Sequence, residues 1–327
     1  MVILAVHAQN LFVADHETGS IYEFTAGGVK STFASGLDDP TGLAFDSSGD
    51  LFILTVDNLY EFINNDGTLN TNPTLYASGF DIPTDLAFDS HGDLFVANHS
   101  AETIIEITPN GMQSIFASWT LPEFFPGMLA FDRMDDLFVS SETGEIIEIS
   151  PTGNQTIAAS RPAVELPAGM AFDGSGNLFE ADEYSDEINE FTNTNGNLSS
   201  NPRQFAFGFS PVVLAFNNSG NLFVGTQTPP IIYEYTPAGV QSTFPGGVDI
   251  PSGIAFQPIS NIQAATMNGI FQLTVTMPSP YYTTILQSSS NLVSWTDVYT
   301  NVPPFTFTDS VAAKSRFYRT VLDTNFY

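Results

Sequence analysis

Apolar residues along this chain fall in short segments, and each segment is closed by turn residues rather than running on at helical spacing. A Leu-Phe pair opens one such segment at Leu11, Leu51, Leu94, Leu137, Leu178 and Leu222. The last five follow a shared phrase, as in Pro40-Thr41-Gly42-Leu43-Ala44-Phe45-Asp46, which recurs from Pro83, Pro126, Pro167, Pro211 and Pro251 at intervals of 40 to 44 residues. Each unit holds four segments with strand chemistry. The first is of the Gly-Leu-Ala-Phe-Asp kind, and a tight turn leads to the second, Leu-Phe-Val-Ala-Asp. The third resembles Ile104–Ile107, and Thr108-Pro109-Asn110-Gly111 turns it into the fourth, Ser114–Ala117.

Four antiparallel strands in every 40 to 45 residues predict the blades of a β-propeller. The last copy, from Pro251, supplies only a first strand, whereas the chain opens at Leu11 with a second, third and fourth. The two ends therefore complete one blade, which removes exposed sheet edges and closes the ring. The expected fold is all-β: a six-bladed propeller over residues 1–258, with N- and C-terminal strands sharing a blade, and a small C-terminal β-sandwich over 259–327. The tail breaks the repeat. Its alternating segments (271–275, 281–287, 294–299, 305–308 and 316–320) suggest a sandwich of fibronectin type III size.

Composition agrees: 43% apolar, only 13% charged, with 29 Phe, 25 Gly and 21 Pro, which argues against disorder and coiled coil. A net charge of -29 excludes nucleic acid and anionic membrane surfaces as natural partners. The tail holds three acids and three bases, so all of the excess lies in the propeller. With no Cys there are no disulfides, thiolate sites or Cys nucleophiles, and the four His lack metalloprotease spacing. No apolar run approaches the roughly 18 residues that span a bilayer. Residues 1–9, MVILAVHAQ, read as the end of a signal peptide without its basic region, which predicts export; a simple first strand is the alternative.

The phrase Pro-x-Gly-Leu-Ala-Phe-Asp-x-x-Gly-Asp-Leu-Phe-Val-Ala-Asp, followed by Ile-Tyr-Glu-Phe, resembles the NHL repeat and, more distantly, the gluconolactonase and regucalcin propellers, over about residues 8–258. Such propellers serve as binding platforms, scaffolds and lactone hydrolases alike. In the tail, Leu286–Thr296 with Phe305–Asp309 and Arg316–Arg319 is similar to a C-terminal module common on secreted proteins of Verrucomicrobia and Planctomycetes. That resemblance implies an exported, extracellular or cell-surface bacterial protein.

Repetition separates fold from function. Glu23, Glu61, Glu106, Glu148, Glu190 and Glu234 recur at one third-strand position and are expected to serve the blade through hydrogen bonds between neighbours. Asp46, Asp89, Asp132 and Asp173 recur at first-strand ends and suit Asx turns. Departures are more informative. Asp85 replaces Gly in the phrase of the second blade, and Glu180 replaces Val in the fourth. The residue ending strand two is Asp15, Asn98 or Asp182 on alternate blades. Oxygen donors converging from three blades suit a divalent cation such as calcium.

The resemblance sharpens this, because gluconolactonase-type propellers hold a divalent cation near the channel mouth; Asp15, Asn98 and Asp182, with Asp85 or Glu180, are the implied ligands. The early Glu-Gly-Pro motif of those enzymes is absent. Turns from strand two to three and from strand four to the next blade are expected on one acidic face. Three functions are open: a non-catalytic extracellular binding or scaffold protein with a protein or glycan partner, a metal-dependent lactonase-type hydrolase, or a structural subunit of a cell-surface assembly that self-associates through its tail. Trp119 and Trp295 are candidates for sugar stacking, with packing as the alternative reading.

Overall fold

The computed structural model describes residues 9–258 apart from 66–67, 120–123 and 161–166, together with six backbone strands between 261 and 322. No helix occurs among the described residues, so none is long and apolar enough to cross a membrane. Residues 10–257 form one compact unit, and the strands beyond Pro258 belong to a second.

The first unit is a six-bladed propeller of four-stranded antiparallel sheets. Blade 1 runs Gly42–Phe45, Leu51–Leu54, Asn58–Phe62, Thr74–Ser78, and blade 2 runs Pro83–Phe88, Leu94–Asn98, Thr103–Ile107, Gln113–Ser118. Blades 3, 4 and 5 begin at Pro126, Pro167 and Ser210. Blade 6 is the expected clasp: Pro251–Phe256 pairs with Leu11–Asp15, with Leu11 opposite Phe256 and Val13 opposite Ile254, and Ser20–Phe24 and Lys30–Ser35 follow. The inner strands succeed one another around a closed ring. At five of the six outer edges a β-bulge interrupts the pairing of strands three and four, which blunts the edge against adding another strand.

One apolar cluster fills each of the six seams between blades. The Phe of each Leu-Phe pair meets the first-strand Phe of the next blade edge to face, in the order Phe12–Phe45, Phe52–Phe88, Phe95–Phe131, Phe138–Phe172, Phe179–Phe216 and Phe223–Phe256. Centroids stand 4.8 to 5.3 Å apart all the way round. Each such pair contributes about 0.5–1.5 kcal/mol beyond the area it buries, so the abundance of Phe is a consequence of ring closure.

The turns from strand one to two repeat one device. Asp46 Oδ1 accepts the backbone N–H groups of Ser48 and Asp50, and Asp89, Asp132, Asp173 and Asn217 do the same two and four residues on. The third-strand glutamates also serve the blade, bonding to neighbours within it. Asn10 donates to Glu23, Ser114 to Glu106, Arg203 to Glu190 and Asn221 to Glu234. These partners sit one strand away, so the short polar reach is satisfied locally. Between their third and fourth strands, blades 1 and 4 each carry a small hairpin, Asn64–Asn65 with Thr68–Leu69 and Asn193–Thr194 with Asn197–Leu198.

In the tail, Asn261–Met267, Ile270–Thr276 and Phe305–Asp309 form one antiparallel sheet, and Thr296–Asn301, Thr284–Ser289 and Phe317–Leu322 another. Packing of these sheets as a sandwich, and Trp295, lie outside the described residues. So do residues 1–8 of the leader-like stretch 1–9. Trp119 packs on Phe124, tilted, with ring centroids 4.4 Å apart, against the seam of blades 2 and 3, as the packing reading expects.

Candidate functional site

Strand register fixes which turns share a face. Pro83 stands opposite Asn98, Pro126 opposite Ser141, Pro167 opposite Asp182 and Pro251 opposite Asp15, so each second strand ends beside the start of the first. The turns after strand two therefore gather at one mouth with the links between blades, and backbone bonds tie the two together: His16 N to Ile250 O at 3.0 Å and Ser100 N to Asp81 O at 3.1 Å. The rim is acidic, with Glu17, Asp38, Asp57, Asp81, Glu142, Asp186 and Asp249 exposed.

Asp15, Asn98 and Asp182 do stand at this end, but each is buried and engaged in its own surroundings. Asp15 Oδ1 accepts from Glu17 N at 3.1 Å and Thr18 N at 3.3 Å, Asn98 Oδ1 from Asp81 N at 2.6 Å, and Asp182 Oδ1 from Ser185 N at 2.9 Å. At the same position in the other blades Ser141 Oγ accepts from Thr143 N, while Thr55 and Thr226 donate their hydroxyls to Asn58 O and Ile231 O. Among the described residues no three His, Cys, Asp or Glu side chains stand together so as to hold a metal ion. Asp15, Asn98 and Asp182 are thus each held in a separate local hydrogen bond. The oxygens of Asp15 and Asp182 lie two or three residues from turn N–H groups, and that of Asn98 reaches the link from the preceding blade, 17 residues back, so each is held locally.

Glu180 is buried within blade 4, in register between Met170 and Asn189, which is also buried. The other blades carry Val or Ile at the position of Glu180, and Tyr or Ile opposite it. Two polar residues therefore replace an apolar pair.

Asp85 lies in the channel. Its Oδ2 accepts the backbone N–H of Leu129, on the inner strand of blade 3, at 2.8 Å. Burial pushes its carboxyl up to about 7, and the hydrogen bonds from Leu129 and Leu86 only partly oppose this. Alongside is a void of about 110 Å³ bordered by Leu43, Met128, Gly169, Val213 and Ser252, roomy enough for several waters. Thr84 and Ser252, one step nearer the mouth, bridge to Gly127 O at 2.8 Å and Pro40 O at 2.5 Å of the next blades.

Of the residues after the strand-two ends, only Glu142 and Glu183 were marked in the sequence, as part of the acidic face, although the copies differ there: His16, Val56, His99, Glu142, Glu183 and Gln227. That variation was the available signal. In every blade the strand-two end is buried and the next residue is more exposed at the mouth. His16 Nδ1 meets Asp39 at 2.5 Å in an exposed pair. Glu183, raised by burial and by nearby Asp186, accepts from Ser210 Oγ at 3.5 Å. Of the histidines that meet a carboxylate among the described residues, His99 is the most enclosed, with only 20% of its side chain exposed. Its ring stacks on Phe125 at 5.2 Å, Nδ1 lies 3.3 Å from Pro126 O, and Nε2 lies 3.6 Å from Glu142 Oε1.

No family model and no curated protein matches this sequence. Solved structures match the fold. A chain of the nidogen/laminin complex shares 17% identity at a TM-score of 0.65, over 76% of this chain and 98% of that one. A structure described as a putative gluconolactonase shares 15% at 0.59, over 82% and 94%. The calcium-binding protein regucalcin of Agrobacterium tumefaciens shares 16% at 0.53, over 72% and 81%. At these identities the likeness defines a six-bladed propeller of the kind shared by gluconolactonase-type proteins, and it assigns no activity.

Proposed function

We propose that this is an extracellular binding propeller that takes a protein or glycan partner on the mouth bearing the second-to-third turns. The observation that carries this reading is the rigidity of that mouth: the buried strand-two ends are hydrogen bonded into their turns, while the next residues and the acidic rim face outward as a preformed surface. Export, a sandwich in the tail and self-association through it belong to the same reading, supported by the leader-like start and the tail motif.

A second reading, a lactonase-type hydrolase, is favoured over an inert scaffold by the propellers named gluconolactonase and regucalcin. In its favour within this chain are a channel carboxylate raised to about 7 and an anchored imidazole at the mouth. Calcium titration by calorimetry on the full chain, with Asp15→Ala and Asp182→Ala, separates the two. The binding reading expects no stoichiometric site that both substitutions abolish. A site lost in both variants would sink it and establish a divalent cation held at the mouth.

A further inference from the structure

We infer that His99 is a general base acting on water at the mouth, and that its substrate is a small uncharged ester or lactone; this rests on the hydrolase reading. A backbone carbonyl can only accept, so the contact with Pro126 O assigns the proton to Nδ1 and leaves the lone pair of the neutral ring on Nε2. Pro126 O is itself held by Thr84 Oγ1 at 3.2 Å, at the start of an inner strand, and Phe125 lies against the ring with an interplanar angle of 29°. The imidazole is thus oriented by backbone and by an aromatic face. Glu142 Oε1, 3.6 Å from Nε2, is too far for a direct hydrogen bond but close enough to stabilise the imidazolium that forms when Nε2 takes a proton. An orienting acceptor, a base and a carboxylate beside it make up a general-base arrangement. His16, at the equivalent place in blade 6, is half exposed, and its imidazole meets the similarly exposed Asp39.

The chemistry needs no co-reactant but water. As the water oxygen bonds to the acyl carbon, one of its protons passes to Nε2. The acyl C–O bond of the adduct then breaks, and the leaving alkoxide oxygen takes that proton back. A hydroxy acid results and loses its carboxyl proton to solvent. The acidic rim disfavours anionic substrates, so uncharged lactones fit best.

The test uses the full chain with δ-gluconolactone, δ-valerolactone and γ-butyrolactone, followed by pH-stat. Turnover of at least one is expected. His99→Gln should lower kcat by about 100-fold or more with KM within about threefold, and the acid limb of the pH–rate profile should vanish. Glu142→Gln should cost about 3- to 10-fold, and His91→Gln, on the opposite face, should change nothing. A ¹⁵N spectrum of the imidazoles should show the resonance lost in His99→Gln as the Nδ1–H tautomer. No turnover of any lactone by the parent chain overturns the hydrolase reading and the inference together. Turnover that His99→Gln retains within threefold, or the opposite tautomer, overturns only the role of His99. If His99→Gln fails to fold, a flat pH profile of the parent or full activity of Glu142→Gln overturns it.

Discussion

The wall of the channel and the face opposite the mouth are built from neighbouring residues of the same strands, yet they obey different rules. On the opposite face, Asp46, Asp89, Asp132, Asp173 and Asn217 make the same two backbone bonds in five blades. Along the channel, one position of the same strand is Gly42, Asp85, Met128, Gly169, Val213 and Gly253 in turn. The turn is satisfied within a blade, so one solution serves every copy. The channel wall is satisfied between blades, so each residue answers to a different neighbour.

The largest effect should come where two inner strands approach most closely. A Cβ at Gly169 would stand 2.6 Å from Leu214 N and 2.8 Å from Val213 Cα, both backbone atoms of the next blade that cannot turn aside as a side chain would. Gly169→Ala should therefore push blades 4 and 5 apart and cost about 3 kcal/mol or more, at the upper end of overpacking, seen as a lower midpoint in urea unfolding. At Gly42 the nearest atom is the Leu86 Cδ2 methyl, at 2.8 Å, which can move, so Gly42→Ala should cost less. Equal losses at the two positions would break the distinction between backbone and side-chain contact.

This contrast also explains what could be read from the chain alone. The six units, the shared blade and the Asx turns follow from spacing and local chemistry, and the structure has all three. Asp15, Asn98 and Asp182 show the limit: an oxygen donor at a strand end suits a turn and a metal equally by residue type, and only geometry shows the turn N–H groups that occupy it. His99 was hidden for a related reason. Its anchor, Pro126 O, comes from the next blade, 27 residues on.

Asp85 provides the intermediate effect. Its carboxyl titrates near 7 in the folded protein against about 3.9 in an unfolded chain. The folded state holds the extra proton between those values, so this group's contribution to stability is full below about pH 4 and is lost as pH rises through 7. Asp85→Asn keeps an oxygen for Leu129 N and removes the charge. Thermal unfolding should show the variant more stable by about 2 kcal/mol at pH 8, less than the on the order of 4 kcal/mol that three pH units would represent, because the carboxylate borders a void open to solvent screening. At pH 4 the two proteins should agree. A variant equally destabilised at both pH values would mean that the Leu129 bond, rather than burial of charge, governs this position.

The smallest effect belongs on the opposite face, where repetition is nearly complete. Just before strand two, blades 1 to 3 carry Asp50, Asp93 and Asp136, whereas blades 4 to 6 carry Asn177, Asn221 and Asn10. Asp136 is raised by burial and by Asp132 and Asp135, and Glu148 on the neighbouring strand is raised by burial and by Asp136 and Asp132. Blade 5 resolves the same geometry with an amide, as Asn221 Nδ2 donates to Glu234 Oε1 at 2.6 Å. Asp136→Asn should import that solution into blade 3, turning a repulsion into a hydrogen bond. Because the carboxylates are partly solvated, the gain should be only a few tenths of a kcal/mol at pH 7, and it should shrink in high salt as the repulsion it relieves is screened. Both raised groups hold an extra proton when folded, so the gain should also fade as pH drops into the carboxylate range. A gain that persisted undiminished at low pH would assign it to the new hydrogen bond alone.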